Sequence, residues 1–221
     1  MQFSMKQFPF FTACTVFLTL APQLAAPESQ TPSVSKKTAP FAEKIQINGV
    51  NNAGKINDHL FRGAQPHGDG VQSLHQLGVT TIIDLRGEHR DQSESERQLA
   101  EGLGMKFLVI PEDGWSNPTD AQIAQFFNTI AERPQQTVFI HCRYGEDRTG
   151  VFVATYRIAF AHWSPQQAIA EMHNFHFNSL WHPNMENYVK HFPQRLASAE
   201  KLAGFRSIPE SSPIEAHSLH P

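Results

Sequence analysis

Cysteine is scarce in this chain: two residues in 221, Cys14 and Cys142. That scarcity excludes a disulfide-stapled scaffold. His173, His176 and His182 stand close together, but no Cys or carboxylate spacing completes a zinc ligand set around them. They read as helix histidines, and no metal or cofactor is expected. A charge excess is missing too: the net charge is −3, which gives no reason to expect a nucleic-acid or membrane-surface partner. Internal repeats and long low-complexity tracts are absent. No apolar run is long enough for a comfortable membrane span. What remains is a 40% hydrophobic chain of a length suited to one ordinary domain plus short extras, expected to act as a monomer.

The longest apolar run, Phe8 to Leu20, follows a short basic start, is interrupted by Pro9 and approaches Pro22. Small residues follow at Ala25 and Ala26. That is the layout of a secretory signal peptide over residues 1–26, with an uncleaved anchor as the alternative. The chain is therefore expected to be exported, periplasmic or secreted. After cleavage Cys142 is the only thiol, unable to form an internal disulfide, and a lone thiol in an exported chain is reactive or simply buried. Residues 27–43, rich in Pro, Ser, Thr and Lys, read as a flexible linker. Residues 206–221 read as a disordered tail, leaving a folded domain at 44–205.

Within that domain strands and helices alternate. TTIIDLR (Thr80–Arg86), KFLVIP (Lys106–Pro111) and TVFIH (Thr137–His141) read as buried strands, and His59–Arg62 as a short one. Helices are expected at Val71–Leu77 and Glu94–Gly104, and from a Thr119/Asp120 cap to Arg133. Further helices should cover Gly150–Trp163, Ser164-Pro165 to His176, and Met185 to Ala203. The alternation predicts an α/β fold: a three-layer sandwich with a central, mostly parallel sheet flanked by helices.

The chemistry concentrates in HCRYGEDRTG, His141 to Gly150, between an apolar strand and an apolar helix. A loop leading into a helix N-terminus aims backbone N–H groups at one point, where the helix dipole adds positive potential. Gly145 lets the loop curl round an anion. Arg148 offers a planar fork of donors for two phosphate oxygens. The same field favours the thiolate of Cys142 as a nucleophile. Thr149 is placed to offer that thiolate its hydroxyl, and His141 to brace the loop from its ring.

This loop resembles the His-Cys-x5-Arg-Thr-Gly active-site loop of the protein tyrosine phosphatase superfamily, in its compact, atypical dual-specificity branch. Six fixed positions, at roughly one residue in twenty each, arise by chance at ~10⁻⁸ per starting point. The likeness extends more loosely from LFRGAQP (Leu60–Pro66) to the helix near Tyr188. It implies a phosphocysteine intermediate on Cys142, a phosphate clamp at Arg148, a phosphate cradle in the backbone of Arg143, Tyr144, Gly145, Glu146, Asp147 and Arg148, help from Thr149 and no metal. Phosphoproteins and inositol phosphates are both open as substrates. Two rivals stand beside it: a phosphate-binding module without catalysis, and a thiol enzyme of rhodanese or arsenate-reductase type.

A leaving alcohol needs a proton. KFLVIP and TVFIH are joined by a crossover of helical length, so their strands should be parallel and adjacent, ending at one sheet edge. The loop PEDGWSNP then opens beside Cys142, with Asp113 two residues past its strand as the general acid. Glu112, Asp120 and Asp147 are the rivals. Some relatives acting on phosphoinositides carry Asp at the position of Asp147, though a solvated loop carboxylate is the plainer reading there. Trp115 either packs that loop down or belongs to a small satellite core. Asp84, Arg86 and Glu88 reach the same edge, Arg86 most simply in a structural ion pair, and Arg62 reads as a structural contact near the site.

Overall fold

In the computed structural model, which describes residue 2 and residues 40–88, 90–131 and 136–207, the apolar runs become the strands of one sheet. The chain divides after Lys36, and the unit Lys37–Pro221 holds everything described below. The expected signal segment and most of the expected linker and tail lie outside the described residues. Among those residues no helix is long and apolar enough to cross a membrane.

Six strands follow in chain order: β1 (Glu43–Lys44), β2 (Gly54–Asn57), β3 (Leu60–Ala64), β4 (Thr81–Arg86), β5 (Lys106–Glu112) and β6 (Val138–Cys142). They form one sheet of order β1-β2-β3-β6-β4-β5. Strands β3, β6, β4 and β5 run parallel, and β1 and β2 add an antiparallel edge. The helices are α1 (Gly70–Gln76), α2 (Arg90–Gly102), α3 (Asp120–Ala131), α4 (Asp147–Phe160), α5 (Pro165–Asn174), α6 (Pro183–Lys190) and α7 (Phe192–Ser198).

Side-chain alternation sorts the core into two layers, because successive residues of a strand face opposite ways. Ile82 and Phe139 join Val71 and Leu74 of α1 and Ala100 of α2 on one face. Ile83, Leu85, Val138 and Ile140 pack on the other against α3 to α7, with Phe126, Phe127 and Phe152 at the centre. The three-layer α/β sandwich expected from the sequence is therefore present. Helix α4 is buried from Thr149 to Ala159 on every face, as expected of a helix apolar all round.

Three expectations need correction. The strands KFLVIP and TVFIH are parallel but not adjacent, since β4 lies between them. The chain winds outward from β4 to β5 and then returns over β4, so α2 and α3 cover opposite faces. Such a reversal of strand order opens a crevice beyond the carboxyl ends of the strands. The last helix is not continuous: Pro193 in the first turn of α7 cannot donate to a helix running through it, and the chain breaks at His191 before ending in a 3₁₀ turn, Glu200–Phe205. Folded structure also begins earlier than residue 44. Ala42 is buried and donates its N–H to Glu171 Oε1 (2.6 Å), and Phe41 packs on Trp163.

Candidate active site

Strand β6 delivers Cys142, 3% exposed, to the crevice, and five residues later α4 begins. The turn between them needs a left-handed backbone, and Gly145 supplies it with φ +70°. A Cβ there would lie 2.4 Å from the Gly63 carbonyl carbon, so a side chain has no room. Glu146, at the N-cap of α4, places no side chain on the first-turn N–H groups. Those donors stay open to an anion. Arg62, fully buried, donates from Nη2 to the Gly145 carbonyl (2.6 Å) and stacks on the Phe175 ring at 4.1 Å. That is the structural role expected of it.

Arg148 rises from the first turn of α4. Its Nη1 and Nη2 form a bidentate pair with Glu88 (2.8 Å each), and Nη1 also donates to the Glu112 carbonyl (3.0 Å). A guanidinium carries five N–H donors. Among the described residues these contacts take three and leave Nε–H and the second Nη2–H, which share one edge. That edge is a fork for two oxygens of a tetrahedral anion. The sequence reading placed Glu88 at this end of the sheet but missed that it sets the fork's orientation.

Behind the loop lies a buried ionic net. Arg86 binds Asp84 through Nε and Nη2 (2.8 Å each) and Glu96 through Nη2 (2.8 Å), while Ser93 donates to Asp84 (2.7 Å). Arg86 is thus the structural ion pair expected. His141 donates from Nδ1 to the Cys142 carbonyl (3.3 Å), and its Nε2 lies 2.9 Å from Glu96 Oε1 as an ion pair without hydrogen-bond alignment. Burial pulls the His141 pKa down, but Glu96 and Asp84 outweigh it and hold it above the ordinary value. Burial likewise pushes Asp84 up, and the Arg86 fork, His141 and Ser93 together bring it below the ordinary value. Asp84, Glu96 and His141 have the ligand types and spacing of a metal group, but Arg86 forks onto both carboxylates. Arg86 compensates both carboxylates, and His141 braces the loop through its bond to the Cys142 carbonyl.

In front of the loop is a cavity of about 520 Å³ lined by Cys142, Arg148, Glu88, Asp113, Trp115, Asp147 and His182, among others. Asp113 does open beside Cys142. The topological reason survives the correction to strand order, because β5 and β6 still end at one edge. Its carboxylate accepts Ser116 N, Ser116 Oγ and Trp115 N (2.7 Å each), and those bonds hold its pKa below the ordinary value. Glu112 faces inward: buried, and accepting Gly114 N (2.8 Å), it is pushed up to about 7 by burial. Asp120 pairs with Arg195 and is not among the residues lining this cavity. A larger cavity, about 890 Å³, lies between β5 and α3 and holds none of the loop residues.

Three residues behave unlike their sequence reading. Asp147 is not a solvated carboxylate: it accepts Asn178 N (3.2 Å) and lies 3.5 Å from His182 Nε2. His182 is not a residue within a helix; it precedes α6, 7% exposed, with the Trp115 ring tilted against it at 5.0 Å. Trp115 is therefore not core; it holds the acid loop against α6, where Asn184 donates to its carbonyl (2.8 Å). Pro183, which starts α6, was the sequence signal that His182 sits at a helix entrance. The expected bond from Thr149 to the Cys142 sulfur is not formed. Thr149 is fully buried in the first turn of α4, and its hydroxyl has no partner among the described residues. Arg143 and Tyr144 are exposed at the rim, the guanidinium 5.2 Å from the ring.

A cysteine at the end of a central strand, a phosphate-type loop and an arginine fork at a helix N-terminus define a cysteine-phosphatase type of site. Residues 36–189, more than half of the chain, match the family described as "DSP-PTPase phosphatase fused to NAD+ Kinase". The chain belongs to that family, an atypical dual-specificity branch of the protein tyrosine phosphatase superfamily. It is 28% identical over 123 residues to the dual specificity protein phosphatase TpbA of Pseudomonas aeruginosa, covering 55% of this chain and 53% of the relative. The chain thus spans about half the length of that curated relative. Among solved structures it resembles a cysteine-to-serine variant of P. aeruginosa TpbA in complex with pTyr (TM-score 0.58, 22% identity, 78% of this chain and 96% of the other). It also resembles the catalytic core of the PP-IP phosphatase SIW14 from S. cerevisiae (TM-score 0.57, 18% identity, 71% and 98%). At those identities the structural likeness speaks to the fold.

Proposed function

We propose that this chain hydrolyses phosphate monoesters through a phosphocysteine intermediate. The observation that carries the reading is the meeting of Cys142, Arg148 and Asp113 in one cavity at the N-terminus of α4. The Cys142 thiolate attacks phosphorus, an S–P bond forms, and the bond from phosphorus to the ester oxygen breaks. Asp113 gives its proton to the departing oxygen. Water then attacks phosphorus, Asp113 takes a proton back, and inorganic phosphate leaves as the thiolate is restored. Throughout, the free edge of Arg148 and the loop N–H groups hold the non-bridging oxygens, where charge gathers. The Asp113 bonds to Ser116 and Trp115 must open for its proton to be delivered, and catalytic hydrogen bonds commonly tighten only in the substrate complex.

Cys142→Ser should abolish turnover of para-nitrophenyl phosphate with the melting temperature preserved, because a serine at neutral pH is neither a comparable nucleophile nor a comparable leaving group. Retention of more than a few per cent of wild-type turnover removes Cys142 as nucleophile. Chelators should leave wild-type turnover unchanged.

For substrate, the phosphoprotein side is favoured over inositol phosphates. Trp115, Tyr144 and Trp181 are 64%, 58% and 68% exposed and line the cavity. They offer faces to an aromatic ring or an apolar peptide segment. Four carboxylates (Glu88, Asp113, Glu146, Asp147) share the lining with two arginines, Arg143 and Arg148. A polyphosphorylated inositol calls for more cations than that. A panel of phosphotyrosine and phosphoserine peptides, inositol phosphates and phosphoinositides tests it, and higher kcat/KM on an inositol phosphate reverses the choice. Export is proposed as well, on the apolar run Phe8 to Leu20 and the small residues after it. A native N-terminus near Ala26 or Pro27 is expected, and an intact Met1 in a cytosolic protein overturns it.

A further inference from the structure

The C=O and N–H of a trans peptide point to opposite sides of the chain. A loop that turns its N–H groups inward on an anion must therefore turn its carbonyls outward, into protein, where each needs a donor. Gln65 N reaches the Arg143 carbonyl (3.3 Å), and Arg62 Nη2 reaches that of Gly145 (2.6 Å). The Tyr144 carbonyl takes its hydrogen bond from Asn52 Nδ2 (3.3 Å), a residue 92 positions away, in the turn before β2. The same Nδ2 reaches the Gly145 carbonyl (3.2 Å) and the Phe175 carbonyl at the end of α5 (3.2 Å).

Resting on the phosphatase reading, we propose that Asn52 is a positioning residue for the phosphate loop. Its carboxamide holds two successive outer carbonyls and thereby fixes the inward direction of the N–H groups that take the oxyanion. The residue type fits two separate demands. The backbone at Asn52 is left-handed, φ +50°, which among residues with a side chain Asn tolerates best. The turn is held there from the sheet, with Ala64 N donating to the Asn51 carbonyl (2.9 Å). The side chain must also be a donor, which Asp cannot be when ionised and Gly is not. Nδ2 has two hydrogens for three carbonyls, so it ties the loop and the end of α5 to one point. Asn52 lies outside HCRYGEDRTG, and nothing in the sequence marks it.

The test uses the full chain with Asn52→Gly and Asn52→Asp. Glycine keeps the left-handed turn and removes the donor. Aspartate keeps the size of the side chain and sets oxygens against the carbonyls. The readouts are tungstate affinity, followed by calorimetry, and kcat and KM on para-nitrophenyl phosphate, with thermal melting alongside. Asn52→Gly should raise the tungstate Kd up to about tenfold and lower kcat by a similar factor, the upper end of what one lost neutral hydrogen bond contributes. Asn52→Asp should lose more. A residue that only stabilised the turn would lower the melting temperature and leave the tungstate Kd of the folded protein unchanged, and that result overturns the proposal. So does wild-type tungstate affinity in Asn52→Gly with weakening in Asn52→Asp alone, because repulsion would then be the whole effect. Should Asn52→Asp fail to fold, Asn52→Gly decides. If the wild type turned over no phosphate ester, the phosphatase reading would fall, while tungstate affinity would still decide the role of Asn52.

Discussion

Behind the phosphate loop, Arg62, Asp84, Arg86, Glu96 and His141 are each 5% exposed or less; in front of it, Trp115, Tyr144 and Trp181 are exposed by more than half. The rear is a buried set of hydrogen-bonded ionic groups that cannot rearrange without stranding an ion in a dry interior. The front is a set of side chains that water already reaches. The difference separates two jobs. The rear keeps the loop in one shape for any phosphate, and the front meets the part of the substrate that varies. Substitutions behind the loop should therefore damage folding and catalysis together, and substitutions in front should damage catalysis alone.

The harshest way to test the rear is Arg86→Met, which keeps much of the volume and removes the cation that Asp84 and Glu96 share. Breaking a buried pair by deleting one partner costs about 3–5 kcal/mol, because the remaining charge has no compensation. The loss should appear in urea unfolding as a lower midpoint with an unchanged slope. A loss under about 1 kcal/mol would mean that water reaches the net and that the rear is no frame.

The front is tested by Asp113→Asn. Asp113 is exposed, and asparagine keeps an acceptor for Trp115 N and Ser116 N, so stability should move by no more than about 0.5 kcal/mol. Turnover of an alkyl phosphate, such as a phosphoserine peptide, should fall by about 10²–10⁴-fold. Para-nitrophenyl phosphate should lose far less, since its leaving group departs as a stable anion and needs little protonation. Asp147→Asn should instead show a smaller effect independent of the leaving group, because Asp147 ties Asn178 and His182 to the loop. The reverse pattern, with Asp147→Asn sensitive to the leaving group and Asp113→Asn silent, would place the acid inside the phosphate loop and move the substrate choice toward phosphoinositides.

How far the sequence was readable follows the same division. The loop was legible because its chemistry is local: Cys142, Gly145 and Arg148 lie within seven residues, between a β-branched strand and an apolar helix. The layers were legible because period-two and period-3.6 patterns report burial directly. Asp113 was placed by topology, and the placement held although β4 separates the two strands, because parallel strands end at one edge whether or not they touch. What escaped was long-range and polar. Glu88, Asn52 and His182 reach the loop from distant segments, and an isolated Glu, Asn or His carries no periodic signal. Strands β1 and β2 escaped because GKIN and EK have little β-propensity of their own. They are strands because β3 offers them an edge.

Glu112 sits on the border between the two regions, a buried side chain at the root of the exposed acid loop, and it should give the smallest effect. Burial raises it from its ordinary value of 4.5 to about 7. Between those two values the folded state holds more protons than the unfolded chain, so stability falls as pH rises through that window. The contribution is fully present below about pH 4.5 and lost above about pH 7. Glutamine in its place keeps an oxygen for Gly114 N and cannot ionise. Glu112→Gln should therefore match the wild type near pH 4.5 and exceed it near pH 8 by on the order of 1 kcal/mol, after allowance for solvent screening. Urea unfolding at the two pH values reads the difference directly. Equal stabilities at both pH values would show that Glu112 is wet and belongs to the front. A wild type that gains stability over the variant as pH rises would show that Arg148, not burial, governs this carboxyl, and the border between frame and mouth would have to be redrawn one residue further inside.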